Sequence, residues 1–322
     1  MAKLQPAVMT LNFAGDGYID LSQSASIVNR RFYRQGLNWA VSGFTVNFAA
    51  SVPSAGNIRI ETLPTTWVSS NAWHKSFALW RRQQNEAIAE SGSESAVAKF
   101  RDFKIFMDTV HVAAGFGANL LPTYGDGTAT FAAGEWDPSQ VVFPNTDDTD
   151  PSTGAQLDAA GNPIDIHPTE AYLHMVGANN NGGVSRGIID GYASSRAFPF
   201  SPDPVTPSIE GTDNWMNRMF NDGNANPTIL DNAVDNNDEL PYPQTHYPGG
   251  DTQAPGLQLH SAHGVPATTA ENGIRFSTNM RGCMVPCGLL KFTNDTGVNA
   301  QLQVHLVPGD HRGYLAAPMQ DM

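Results

Sequence analysis

Arg30, Arg31 and Arg34, in the run NRRFYRQG, form the one dense basic group of the first sixty residues, with Phe32 and Tyr33 set between them. Guanidinium groups interleaved with aromatic rings can hold a single-stranded nucleic acid, the cations on its phosphates and the rings on its bases. These three arginines are the candidate nucleic-acid-facing residues. The alternative is that they pair with acids of this chain or of a neighbouring copy.

No catalytic residue set emerges from the rest of the chain. A GxSxG elbow, an HExxH helix and a phosphate-binding GxxxxGK[ST] loop are all missing. Gly115-Phe116-Gly117 lacks the third glycine of a dinucleotide loop and does not sit in a βαβ pattern. Nine histidines are scattered, the closest group being His260, His263, His305 and His311. His260-x-x-His263 has a spacing some metal sites use, but without a nearby carboxylate these rings read as packed or solvated. Asp147, Asp148 and Asp150 with Ser152 and Gly154 resemble a calcium loop, except that the glycine is one position late and the bidentate Glu is absent. Asp235, Asn236, Asn237, Asp238 and Glu239 make a second acidic cluster. Both read as solvated loops, with a low-affinity Ca²⁺ site at a subunit contact as the sharper alternative and no other cofactor expected. Cys283 and Cys287 form one pair in CMVPC, whereas zinc needs about four ligands. They read as small apolar residues beside a turn, a strained short disulfide being the lesser reading.

The elements that must position these residues are mostly strands. Ala300, Leu302, Val304 and Leu306 alternate with Gln301, Gln303 and His305, the period of a half-buried strand. GLLKF (288–292) leads into the polar run 293–297, which predicts a hairpin or a tight sheet-crossing turn before that strand. Ile274, Phe276, Thr278 and Met280 share a face, as do Ala40, Ser42, Phe44, Val46 and Phe48; Ile58 and Ile60 oppose Arg59 and Glu61. Phe103, Ile105 and Met107 mark a further strand, and shorter ones are expected at 128–132, 140–143, 171–176 and 186–193. Roughly eight to twelve strands bounded by Gly, Pro and Asn clusters predict a sandwich or barrel. Helices interrupt it. Ser70 or Asn71 caps one whose apolar face holds Trp73, Phe77, Trp80, Ala87 and Ile88. Shorter ones are expected at 24–34 and 212–221. Long loops fall near 145–168 and 222–270, and loops of that length usually make functional contacts. With no repeat and no clean linker, residues 1–322 read as a single elaborated domain with a helical insertion near 69–100.

Composition narrows the function class. The 322 residues are 40% hydrophobic and 15% charged with a net charge of −13. The charge is uneven: 11 Lys and Arg against 8 Asp and Glu over residues 1–110, a balance of +3, then 7 against 23 over residues 111–322, a balance of −16. An acidic surface disfavours non-specific nucleic-acid binding, and no Arg/Lys-rich arm is present to neutralise phosphates. No apolar run is long enough to span a membrane, and MAKLQPAVMTLNF lacks the apolar core of a signal peptide. A structural protein is therefore expected rather than an enzyme.

Three stretches carry a resemblance: YIDLSQSASIVNRRFYRQGLNWAV (18–41), IETLPTTWVSSNAWHKSFALWRRQ (60–83) and FKIFMDTVH (103–111). Their Leu-Pro-x-x-Trp, Asn-Ala-Trp and Trp-bearing helix resemble capsid proteins of small single-stranded DNA viruses of the aquatic environmental type. The resemblance implies a jelly-roll sandwich of about eight core strands, mainly β, with helical and long-loop insertions, a double jelly roll being the alternative. Residues 39–48 and 57–63 would be its first strand pair, and 274–280, 288–292 and 300–307 would close it. It also implies a major capsid subunit in a virion, self-assembled into an icosahedral shell and touching copies of itself, with its single-stranded DNA or other virion proteins as weaker contacts. Many such proteins carry a long basic N-terminal arm. Here packaging would rest on a modest inner patch, on another protein, or on a membrane beneath the shell. A carbohydrate-binding or phage decoration or fibre module is the competing reading, with Trp67, Trp136 and Tyr242 as stacking candidates. A hydrolase on a β-sandwich would need carboxylates or histidines with shifted acidities converging in a cleft.

Overall fold

The alternation in AQLQVHL is realised in full: every second residue from Ala300 to Leu306 is buried and the intervening ones are half-buried. The computed structural model describes residues 8–48, 51–92, 102–124, 129–144, 168–178, 180–195, 231–232, 256–268 and 276–321. The chain runs through β1 (Thr10–Ala14), β2 (Gly17–Asp20), α1 (Leu21–Asn29), β3 (Leu37–Phe48), β4 (Gly56–Thr62) and α2 (Trp67–Glu90). Next come α3 (Thr109–Ala114), β5 (Gln140–Pro144), β6 (Pro168–His174), β7 (Asn180–Asn181), β8 (Ser185–Gly187) and α4 (Ile188–Ser195). Then follow β9 (Gln258–Val265), β10 (Ser277–Val285), β11 (Leu289–Asn294), β12 (Ala300–Leu306), β13 (Pro308–Gly309), β14 (Gly313–Tyr314) and β15 (Ala316–Pro318).

The protein is mainly β. One antiparallel sheet has the order β1-β12-β3-β10, with β15 added to β3, and a second has the order β2-β11-β4-β9. Their inner faces share one apolar core, in which Phe13, Trp39, Phe44 and Phe48 from the first sheet meet Ile19, Ile58, Ile60 and Phe292 from the second. At about 25 cal/mol per Å² of apolar area, this burial is the main stabilising contribution. The strands at 39–48 and 57–63, expected to pair, lie in opposite sheets, and the turn after β11 crosses between sheets. β1 runs into β2, β3 into β4, β9 into β10 and β11 into β12 at one end of the sandwich. The opposite end receives α1, the described elements between β4 and β9 and the chain after β12.

Between β4 and β9 a second core forms, in which α2 packs Trp73 and Trp80 with Phe103, Leu173 and Ile188 against Tyr18 and Leu289. β5-β6-β8-β7 make one small mixed sheet there, which is no second sandwich among the described residues. Four expectations change. α2 starts at Trp67, capped by Thr66, whose hydroxyl accepts from Ser69 N at 3.3 Å. Ser70 is not the cap because its hydroxyl donates to Met319 O at 2.6 Å. Residues 102–107 join β6 only through a parallel bridge between Phe106 and His174 and irregular backbone bonds. The 186–193 strand ends at Gly187 and becomes α4, and residues 258–265 of the expected long loop are strand β9. The expected loop 145–167, the helix at 212–221 and both acidic clusters lie outside the described residues, as do 93–100 of the helical insertion. Among the described residues no helix is long and apolar enough to cross a membrane.

α1 spans Leu21–Asn29 rather than 24–34, the expected strand at 128–132 is reduced among the described residues to an isolated bridge of Thr130 with Thr123, and a further change concerns β3. Val41 pairs with Leu306 and Gly43 with His305, so Ser42 is an extra residue in β3, a bulge. The inward set therefore shifts from Trp39 and Val41 to Phe44, Val46 and Phe48, and Ser42 is exposed rather than on the face of Phe44. Gly282 of β10 lies against the bulge, where a Cβ would sit 2.0 Å from Val41 O and 2.4 Å from the Ser42 carbonyl carbon. Backbone atoms cannot yield to such a contact. Gly282→Ala should cost about 3 kcal/mol or more and lower the thermal midpoint by on the order of 10 °C. Gly117→Ala, with nothing within 4 Å of its added carbon, is the control. Equal midpoints for the two variants would refute the bulge contact.

Candidate nucleic-acid interface

The basic group sits where α1 ends. Asp20 caps the helix start, its Oδ1 accepting from Ser22 N at 2.8 Å and Gln23 N at 3.2 Å. Arg30 closes the helix in a left-handed conformation, φ 52°. The return of the chain is set by Ser26, whose hydroxyl donates to Ser22 O at 2.6 Å and accepts from Tyr33 N at 2.9 Å. Tyr33 is thereby driven inward, its ring 5.7 Å from Trp39 and 5.6 Å from Tyr314. Its neighbours are left outside: Arg30, Arg31 and Arg34 are exposed and Phe32 is half-buried.

A second basic segment meets this one. His311 and Arg312 lie between β13 and β14, with Arg312 at φ 51°. The Arg312 guanidinium donates to Phe32 O, and the Tyr33 hydroxyl donates to Arg312 O at 3.3 Å. Burial, reinforced by Arg312, holds His311 below the usual imidazole range, so it is neutral near pH 7. Between the segments opens a cavity of about 350 Å³. Phe32, Trp73, Phe77 and Phe103 wall it, with Arg34, His311 and Arg312 among its lining. Arg30 and Arg31 lie outside that lining. The sequence marked the 30–34 group but missed Arg312 and the aromatic walls. Only the run HRG at 311–313 hinted at a tight basic turn, and 280 residues separate it from Phe32.

Shifted acidities do occur, in a buried network beside this region. Asp20 is fully buried, and its Oδ2 accepts from Gln35 Nε2 and Trp136 Nε1, each at 3.0 Å. Burial pushes its carboxyl up to about 6 despite the four hydrogen bonds. His111 stacks on Tyr18 at 4.2 Å, and burial pushes it down to about 4. Its Nδ1 accepts from Met107 N at 3.1 Å, which leaves the proton on Nε2, donated to Asn119 Oδ1 at 2.8 Å. Asn119 donates in turn to Gln23 Oε1 at 3.0 Å, and the Tyr18 hydroxyl donates to Asp108 at 2.8 Å. Both oxygens of Asp20 and both ring nitrogens of His111 are thus committed within the protein. These bonds tie the start of α1 to Gln35, Trp136 and Asn119.

The other marked residues are dispersed. His260 Nε2 lies 2.7 Å from Arg281 O, His263 Nδ1 3.2 Å from Thr278 Oγ1, and His305 sits between Thr10 and Thr45. No group of three or more potential metal ligands is assembled among the described residues. Cys283 and Cys287 are free thiols, half-buried and buried. Trp136 is 8% exposed, with Lys104 Nζ 4.5 Å from its ring centre, and Trp67 packs partly buried on the second core. Tyr242 lies outside the described residues. Compared with protein-family models, curated proteins and solved structures, the chain gives no significant match to any of them.

Proposed function

We propose that the chain is a viral structural protein, a major capsid subunit that assembles with copies of itself into an icosahedral shell around a genome. The observation that carries this reading is strand order. Taken along the chain, the eight sandwich strands lie first-eighth-third-sixth in one sheet and second-seventh-fourth-fifth in the other. That interleaving is the order of a jelly roll, an architecture in which viral capsids recur. Two features support assembly. Most strand connections at one end are short in sequence, whereas residues 63–257 separate β4 from β9, and such unlike ends suit a subunit that meets copies of itself through distinct surfaces. The outer face of the first sheet carries Thr10, His305, Thr45 and Asn279, joined in one hydrogen-bonded row across its four strands. Gln301, Gln303, Asn12 and Asn47 extend it, and Arg281 is the charged residue among these outward positions. An almost uncharged face lets copies of a −13 chain approach with little repulsion.

Negative-stain electron microscopy and light scattering of the purified chain test the reading. Closed particles of uniform size are the expected result. A compact monomer at every protein concentration, salt level and Ca²⁺ level would count decisively against it. Three arginines at 30–34 are the genome-facing group in this reading, and the particle belongs in the virion.

A further inference from the structure

We propose that the cavity beside Arg34 receives a single base of a single-stranded nucleic acid, with the adjoining phosphate held by Arg34 and Arg312. The proposal rests on the reading of 30–34 as the genome-facing group, but it does not need a closed shell. Four observations converge. At about 350 Å³ the cavity is at the small end of ligand pockets, the size of one nucleotide unit rather than an extended chain. Its walls are rings: Trp73 stacks on Phe77 at 5.2 Å and meets Phe103 edge-on at 5.9 Å. Among the described residues no Asp or Glu belongs to its lining, in a chain of net charge −13, while two exposed arginines do.

The fourth observation is the fixed face of the wall. Trp73 is 6% exposed and pressed on Gly36, where a Cβ would lie 2.2 Å from Cζ2, so the ring is held in place before any ligand arrives. A nucleobase supplies a flat body for such a wall, and its phosphate supplies charge for the arginines. A fatty carboxylate would meet the walls with its chain and the arginines with its head, and is the competing occupant.

The test is fluorescence anisotropy of the full chain with a labelled twelve-residue oligothymidylate and with an abasic strand of the same length. The intact strand should bind about tenfold more tightly than the abasic one, the value of one stacked base. Trp73→Phe shrinks the stacking face from two fused rings to one, and should weaken the intact strand about fivefold while leaving the abasic strand unchanged. Arg34→Gln should reduce the slope of log affinity against log salt by about 1 for both strands. Thermal melts confirm that each variant folds; should Trp73→Phe fail to fold, the comparison of the two strands on the unaltered chain decides. Equal binding of intact and abasic strands overturns the base slot. So does a fatty carboxylate retained in native mass spectra and competing with the strand. Absence of any binding at low salt overturns the slot and the genome-facing patch together. Particle formation, read separately by microscopy, reports on the shell.

Discussion

Asp20→Ala is expected to lower the stability of the protein by about 3–5 kcal/mol, measured by urea unfolding of dilute protein at pH 7. The side chain is 0% exposed and accepts four hydrogen bonds, from Ser22 N, Gln23 N, Gln35 Nε2 and Trp136 Nε1. Alanine leaves Ser22 N, Gln23 N and Trp136 Nε1 without an acceptor, at about 1–3 kcal/mol each, and takes one of the two acceptors of Gln35 Nε2. Against this stands relief from burying a charge, about 3 kcal/mol for a carboxyl raised from 3.8 to about 6. The donors outweigh the relief. Asp20→Asn should cost about half as much, because its one oxygen can serve the two helix amides while its NH₂ faces the other two donors. Gln35 cannot flip to help: its Oε1 already accepts from Ile105 N at 2.6 Å and its Nε2 donates to Ile105 O at 3.0 Å. An alanine variant as stable as the parent would show that the four bonds are not made in solution.

The same clamp links stability to the candidate site. Gln35 stands between Arg34 and Gly36, and Ile105 lies two residues from Phe103. Asp20 therefore holds three of the cavity's lining residues in place through one side chain. The cavity arises where the second core, the chain after β12 and the end of α1 meet at the elaborated end of the sandwich.

What the sequence revealed and what it concealed divide along the range of the interactions. β12 and β4 were legible because each buries one face, so alternation alone marks them. The bulge at Ser42 was not, since an extra residue in β3 is defined only by the register of β12 against it. The arginines at 30–34 were visible as a local cluster, whereas the cavity beside them needs His311, Arg312 and Trp73, brought together by the sheet order. Asp20 was not singled out from the sequence. Its position before Leu21, Ala25 and Val28, spaced for one helix face, was the available sign of a cap, and the helix was expected three residues too late. Its buried partners Gln35 and Trp136 carry no local signal at all.

Those two shifted groups predict a pH dependence that single substitutions should expose. Asp20 is raised from 3.8 to about 6, so between those values the folded state holds a proton that the unfolded state has lost. Its contribution is fully present below pH 4 and disappears as pH rises through 6, a change of about 3 kcal/mol. His111 is lowered from 6.5 to about 4, so its contribution is present above pH 6.5 and is lost as pH falls toward 4, again by about 3 kcal/mol. In the parent protein the two nearly cancel between pH 4 and 6. His174 and His311, both lowered by burial, tilt the balance toward loss on acidification. In Asp20→Asn the histidine is unopposed: relative to the parent, the substitution should cost about 3 kcal/mol more at pH 4 than at pH 7. His111→Gln should show the reverse, costing about 3 kcal/mol less at pH 4 than at pH 7. Urea unfolding of the three proteins at both pH values measures these differences, with charge effects common to all three cancelling. A cost for Asp20→Asn that is the same at both pH values would mean that this carboxyl titrates normally. A larger cost at pH 7 would mean that the four donors favour its charged form, and burial would no longer be the dominant influence on Asp20.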